Sequence, residues 1–290
     1  MTNWKLGIIG GSGLYSLDGL ENVRTQSIET PWGVPSADLT LGTLNGVELV
    51  FLPRHGTGHV IPPSKVPYDA NIAALKMAGC TDIIAISACG SLREEYAPGH
   101  FVVVDQYVDR SQGRPRSFFG EGCVAHVPMA DPVCSRMSQL VFEAGEAAGI
   151  EITRGGTYLV MEGPQFSTRA ESELYRSWGL DVIGMTNMPE AKFAREAELP
   201  YAAIAMVTDY DCWREGEESV DVAAVLEVMR GNTEKAKRLL TGLTEQLSAV
   251  ERTPSPDGIE TVLDAAIVTP PASRDPEFLA RLEAIYPRLG

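Results

Sequence analysis

Apolar positions change period repeatedly along the chain. Short, nearly continuous apolar runs at 5–10, 47–53, 81–87, 101–108, 157–161, 181–185 and 201–207 read as strands. The run TDIIAIS at 81–87 is apolar enough to need cover on both faces. Apolar residues recur at helical spacing at 69–79, with Ile72, Leu75 and Met77, and at 132–149, with Met137, Leu140, Val141, Ala144 and Ala148 ahead of a glycine stop at Gly149. Further helices are predicted at about 169–178, 189–198 and 221–247. This alternation predicts an α/β fold: a single domain with a mixed, mostly parallel central sheet flanked by helices. RTPSPDG at 252–258 reads as a loop, so 1–250 is taken as the domain and 251–290 as a C-terminal extension. One short helical stretch at about 276–285 falls in that extension, which is expected to pack on the domain or on a neighbouring subunit.

Composition narrows the partners. The chain has 290 residues, 44% hydrophobic and 22% charged, an ordinary globular balance with enough apolar residues for a sizeable core. Lys and Arg number 24 against 39 Asp and Glu, a formal charge of −15, which disfavours nucleic acid and anionic membranes as partners. A small anion can still bind through local backbone dipoles and one or two arginines. The cysteines, Cys80, Cys89, Cys123, Cys134 and Cys212, stand at no metal-ligating spacing and suggest reduced thiols. With no leader and no apolar run of spanning length, a cytoplasmic location is expected.

Six segments carry candidate chemistry. GIIGGSGL at 7–14 is a strand entering a glycine-dense turn, where backbone N–H groups and Ser12 could cradle an anion, or simply a tight turn. It lacks the later glycine of a dinucleotide fold and the Lys of a P-loop. Arg54 and His55 follow the 47–53 strand, and an Arg fork with a His donor suits phosphate, although such a pair on a loop can also be merely solvated. Ser87 and the Ala88 backbone N–H could complete an anion nest; Cys89 is not read as a nucleophile, because no His lies near it in sequence. In EGPQFSTRAES at 162–172, Phe166 could stack on a flat base, while Thr168 and Glu171 fit a helix capping box. In MTNMPEA at 185–191, Met185 could cover a sugar and Thr186 donate to phosphate, and Asn187 with Pro189 equally makes a plain helix start. In TDYDCW at 208–213, Asp209 and Asp211 stand two apart at a strand end, where an extended chain points both the same way. They could read a purine edge; a metal site lacks a third hard ligand at fitting spacing.

In this order, from about Leu6 to about Leu247, these segments resemble the methylthioadenosine phosphorylases of the trimeric purine nucleoside phosphorylase superfamily. The resemblance implies that Ser12, Arg54, His55, Ser87, Ala88 and Thr186 surround phosphate, with two of the serines standing where threonine is common. It implies Met185 against the ribose, Phe166 near the base, and Asp209 and Asp211 on the purine N7 and 6-amino edge. Ser167, Val222, Val225 and Leu226 fall where base and 5′-substituent choice is set, and His126 would reach a neighbour's 5′ pocket across a homotrimer interface.

The implied reaction is phosphorolysis of methylthioadenosine to adenine and 5-methylthioribose 1-phosphate, with no metal or organic cofactor and with inorganic phosphate as co-substrate. The purine would leave early, Asp209 holding or delivering a proton at N7, while phosphate held by Arg54 attacks the opposite face. A carboxyl in that role calls for a raised pKa. A carboxylate accepts from a 6-amino group and repels a 6-keto oxygen, so Asp209 favours adenine; a methylthioinosine or general purine nucleoside phosphorylase is the alternative on the same fold.

Overall fold

The computed structural model describes residues 4–14, 17–214 and 222–289. Its strands are β1 (Lys5–Gly10), β2 (Glu21–Gln26), β3 (Leu39–Leu44), β4 (Val47–Pro53), β5 (Asp82–Ser91), β6 (Phe101–Val104), β7 (Gln106–Asp109), β8 (Ile152–Arg154), β9 (Thr157–Val160), β10 (Val182–Gly184) and β11 (Tyr201–Asp209). Its helices are α1 (Tyr68–Met77), α2 (Ser135–Ala147), α3 (Arg169–Ser177), α4 (Glu190–Glu196), α5 (Val222–Ser248), α6 (Leu263–Ala266) and α7 (Pro276–Leu282).

The strands form one sheet in the order β2-β3-β4-β1-β5-β10-β9-β7, with β11 and then β6 and β8 branching from β5. The sheet is mixed rather than mostly parallel. β1 runs parallel to β4 and β5, and β5 parallel to β11, but β10 is antiparallel to β5 and β6 antiparallel to β11. β2 and β3 add a further antiparallel edge. Asn45 and Gly46, both at positive φ, turn β3 into β4 as a tight hairpin. The run at 101–108 is two strands, because the chain changes partners at Asp105: β6 pairs with β11 and β8, and β7 with β9.

Period-two alternation divides the core. Ile9, Val50, Leu52, Ile83, Ala203 and Ala205 face α1 and α4 in one cluster. Leu6, Ile8, Leu49, Phe51, Ile84 and Ile204 face α2 and α5 in the other. Each fully buried Val, Leu, Ile or Phe side chain among these stabilises the fold by about 1.5–3 kcal/mol relative to exposure. Residues beyond 250 join both clusters: Leu263, Leu282, Ile285 and Tyr286 enter the first, Ile259 the second. Arg252 bridges Asp82 at 2.6 Å and Glu260 at 2.8 Å.

β5 is the strand that makes a site. Its first half lies between β1 and β11, but pairing with β1 ends at Ala85, and β10 takes up Gly90 and Ser91. Residues 86–90 therefore run past the end of the β1 pairing, beside the glycine-rich turn that follows β1.

Candidate active site

The anion side is built around Arg54. Its backbone N–H donates to Gly10 O at 3.1 Å, tying the ends of β1 and β4 together. The side chain is 2% exposed. Nε and Nη2 donate to the two carboxylate oxygens of Glu190 at 2.8 and 3.0 Å, and Nη1 donates to Ile86 O at 3.1 Å. Tyr201 donates to the same carboxylate at 2.9 Å. Burial alone would weaken the guanidinium's hold on its proton, but the Glu190 charge and hydrogen bonds outweigh it and raise the pKa. One N–H on each terminal nitrogen is left over from these bonds.

His55 Nδ1 lies 2.9 Å from Ile61 O, and a carbonyl only accepts, so Nδ1 carries the proton. Burial, then the adjacent Arg54 charge, push the imidazole pKa down to about 4. At neutral pH Nε2 is thus an acceptor, where the sequence suggested a donor.

Ser87 and Thr186 both donate to Asn187 Oδ1, at 3.3 and 3.2 Å, and Asn187 Nδ2 donates to the Tyr107 hydroxyl at 3.3 Å. Asn187 is buried at φ 71, a left-handed conformation that Asn tolerates better than most residues. The Tyr158 hydroxyl is buried beside Ser87 and Thr186 without closing a hydrogen bond to either. Ala88 is half-buried on β5, opposite Met206.

The carboxylates lie farther along β5. Asp209 pairs with Gly90 across a bulge in β11. Its Oδ2 accepts from Thr208 Oγ1 at 2.7 Å and its Oδ1 from the Asp211 N–H at 2.8 Å. β11 ends at Asp209, and Asp211 takes φ 52, so a turn rather than extended alternation brings the two together. Both crowd Gly90: a Cβ there would lie 2.9 Å from Asp209 Oδ1 and 3.4 Å from Asp211 Cβ. Burial raises the Asp211 pKa, opposed by the nearby Ser172 and Ser167 hydroxyls. Its Oδ2 is buried and makes no hydrogen bond among the described residues.

Met185 is half-buried, and the backbone of Gly163 packs so closely on its sulfur that any Cβ at 163 would collide with it. Phe166 is 46% exposed. The Ser167 carbonyl accepts from Cys212 Sγ at 3.3 Å, and Arg169 donates to Cys212 O at 2.7 Å, joining the 162–172 segment to the turn after β11. Thr168 and Glu171 close the expected capping box of α3. At the start of α5, Val225 is half-buried and Leu226 is 55% exposed. The side chains of Ser12 and Val222 lie outside those described. His126 is exposed, its backbone N–H donating to Ala266 O at 2.9 Å, with no hydrogen bond among the described residues to the strand-end cluster.

Three buried residues here were not read as site residues from the sequence: Glu190, Asn187, which was read only as a helix start, and Tyr158. The first two stand inside the MTNMPEA motif, where a buried Glu next to a helix start could have been matched to the lone Arg54. Among the described residues no group of three His, Cys, Asp or Glu could hold a metal ion, and no helix is long and apolar enough to cross a membrane.

Residues 5–245 match the family model of the phosphorylase superfamily. The S-methyl-5′-thioadenosine phosphorylase of Cereibacter sphaeroides is 56% identical over 284 residues, covering 98% of each chain. A crystal structure of a methylthioadenosine phosphorylase from an Antarctic soil metagenomic library superposes with a TM-score of 0.91 at 45% identity, covering 98% of this chain and 99% of that one. A variant of the adenosine/methylthioadenosine phosphorylase of Schistosoma mansoni, crystallised with methylthioadenosine, superposes with a TM-score of 0.84 at 38% identity, covering 94% of this chain and 99% of that one. With residues 5–245 matching that family model and with likeness to these relatives over nearly its whole length, this chain belongs to the phosphorylase superfamily.

Proposed function

We propose that this protein phosphorolyses S-methyl-5′-thioadenosine, releasing adenine and 5-methylthioribose 1-phosphate. The observation that carries the reading is the spacing along β5. Ser87, with Thr186 and Arg54 around it, and Gly90, with Asp209 and Asp211 against it, are three residues apart, about 10 Å at strand rise. That leaves room for a phosphate at one end, a purine edge at the other, and a ribose between them. The Arg54 N–H groups left by Glu190, the Ser87 and Thr186 hydroxyls and the N–H groups of Ala88 and the Gly10–Ser12 turn take the phosphate. His55, neutral, accepts from a protonated phosphate oxygen through Nε2. Met185 covers the ribose, and Phe166 with Ser167 covers the base.

Asp209 and Asp211 together read the N7 and 6-amino edge, with Asp209 acting at N7 and within reach of the 6-amino group. As the bond to the purine breaks, Asp209 holds the proton that lets adenine leave, and the phosphate opposite stabilises the cationic sugar and then captures it. No metal or organic cofactor is required by this scheme. Val225 and Leu226 offer an apolar wall to the methylthio group, at the place to which the resemblance also assigns Val222. The exposure of Phe166 and Leu226 is what a pocket completed by a neighbour in a homotrimer calls for, with His126 serving the adjacent subunit. The acidic surface suits a cytoplasmic enzyme of small metabolites rather than a binder of nucleic acid or membrane.

The purified protein incubated with methylthioadenosine, with and without phosphate, tests this directly. Phosphate-dependent adenine release, faster than from adenosine, is expected. Release without phosphate would make it a hydrolase, and turnover of methylthioinosine alone would overturn the role given to Asp209.

A further inference from the structure

The loop between β7 and α2 contains a buried guanidinium that bonds to none of the side chains assigned to phosphate or base yet ties together the turns that carry some of them. Arg114 is 5% exposed. Its Nη1 donates to Met185 O at 2.9 Å, Met188 O at 2.9 Å and the Tyr68 hydroxyl at 3.1 Å. Its Nη2 donates to Glu162 O at 2.9 Å and Met161 O at 3.4 Å, and its Nε donates to Glu162 Oε2 at 3.2 Å. One planar cation thus bonds the backbone on both sides of the site: the 185–188 turn after β10 and the 161–162 turn after β9. Those two turns meet directly where Gly163 packs on the Met185 sulfur.

We propose that Arg114 is a positioning residue that fixes the distance between the Met185 turn and the turn leading to Phe166 and Ser167. The proposal rests on the reading above, in which Met185 covers the ribose and Phe166 the base. Backbone carbonyls are its main acceptors, so it sets main-chain position rather than any one side chain. The geometry needs a fork: a guanidinium spreads donors over two terminal nitrogens facing opposite turns, whereas an ammonium is a single point that can serve one turn at a time. The loop itself is anchored. Gln112 N–H donates to Glu162 Oε2 at 2.6 Å, and Ser117 Oγ and Phe118 N–H donate to Glu196 at 2.7 and 2.6 Å. Arg114 therefore has a fixed base from which to hold both turns. A misplacement of about 1 Å between sugar and base cover is enough to cost on the order of 100-fold in rate.

The test is steady-state kinetics on Arg114→Lys and Arg114→Ala with methylthioadenosine and phosphate varied separately, alongside amide hydrogen exchange on the free proteins. Glu162→Gln, which removes the charge that Arg114 Nε and the Gln112 N–H share while leaving the backbone carbonyls in place, covers the case in which the Arg114 variants fail to fold. For Arg114→Lys the expected result is a kcat lower by roughly 100-fold. The KM for phosphate should rise less than kcat falls, because Thr186 lies in the turn that Arg114 holds while Gly10, Arg54 and Ser87 are not among its partners. Exchange should rise together at 161–163 and 185–188 and stay unchanged at 10–12 and 54–55. Glu162→Gln should show the same pattern in weaker form. Wild-type kcat and unaltered exchange in a folded Arg114→Lys protein would overturn the proposal, as would an increase spread evenly over the chain. An inactive wild-type protein would instead overturn the functional reading, leaving the exchange pattern to decide whether Arg114 couples the two turns.

Discussion

Arg54 and Glu190 form a closed fork, Nε and Nη2 on the two carboxylate oxygens at 2.8 and 3.0 Å, with both side chains almost fully buried. The pair is electrically near neutral, so the site offers an anion directed N–H groups more than net positive charge. Each partner also depends on the other. Removing one member of such a pair leaves a buried charge unmatched and destabilises by about 3–5 kcal/mol. Arg54→Met should therefore lose both stability and phosphate-dependent turnover. Arg54→Met combined with Glu190→Gln should recover most of the stability and none of the turnover. Denaturant melts and phosphate titrations of the singles and the double check this; turnover returning with stability would mean that Arg54 serves the fold alone.

Asp209 sits where its charge chooses the base. Its neighbours tolerate an amide: the Asp211 N–H needs an acceptor, which Asn retains, and the Thr208 hydroxyl can accept instead of donate. Asp209→Asn should therefore fold normally, lose most activity on methylthioadenosine and gain relative activity on methylthioinosine. A competition assay with the two nucleosides reads the ratio. An unchanged preference for adenine would remove Asp209 from base recognition.

Gly90 lets Asp209 approach β5. A Cβ there would stand 2.9 Å from Asp209 Oδ1 and 3.2 Å from the Ile183 side chain, and Gly90 is not at positive φ. Gly90→Ala should then cost little more than about 1–3 kcal/mol of overpacking. It should lower kcat on the order of 100-fold by displacing the carboxylate. Thermal melts with single-turnover rates separate the two effects; full activity would show that Asp209 has slack in its position.

The strands at 5–10, 47–53, 81–87 and 201–207 were legible because both of their faces are buried over most of their length and most of their residues are apolar. β2 was not: its six residues are all exposed, so no hydrophobic pattern marks it, and it is held by main-chain pairing to β3. The break at Asp105 was hidden because apolar residues continue on either side of it while their partners change. Candidate site residues that follow a buried strand, such as Arg54, Ser87 and Asp209, could be picked out by position. Arg114 could not, since the 110–119 loop has no periodicity and its function lies in carbonyls from distant turns. Asp211 was picked for a reason the structure replaces, a turn at φ 52 instead of an extended strand.

Glu196 supplies a pH dependence that can be isolated. Its carboxyl is buried against Ser117 and Phe118, and burial pushes its pKa from 4.5 up to about 7, against the pull of those two hydrogen bonds. The folded protein thus binds this proton more tightly than the unfolded chain does. Its stabilising contribution is complete below about pH 4.5 and is lost as pH rises to about 7. His55 works the other way: with its folded pKa near 4 against an ordinary 6.5, it weakens the fold as pH falls through that interval. In wild-type protein the two slopes oppose each other between about pH 4.5 and 6.5. Glu196→Gln removes one of them. An amide can still accept from Phe118 N–H and donate to the Ser117 hydroxyl, so the variant should fold. Its stability relative to wild type should climb by up to about 2–3 kcal/mol from acid to neutral pH and then level off. Denaturant melts at about pH 5, 6 and 8 check this. A difference that does not change with pH would mean that Glu196 is ionised throughout and that the loop bearing Arg114 is held by a charge.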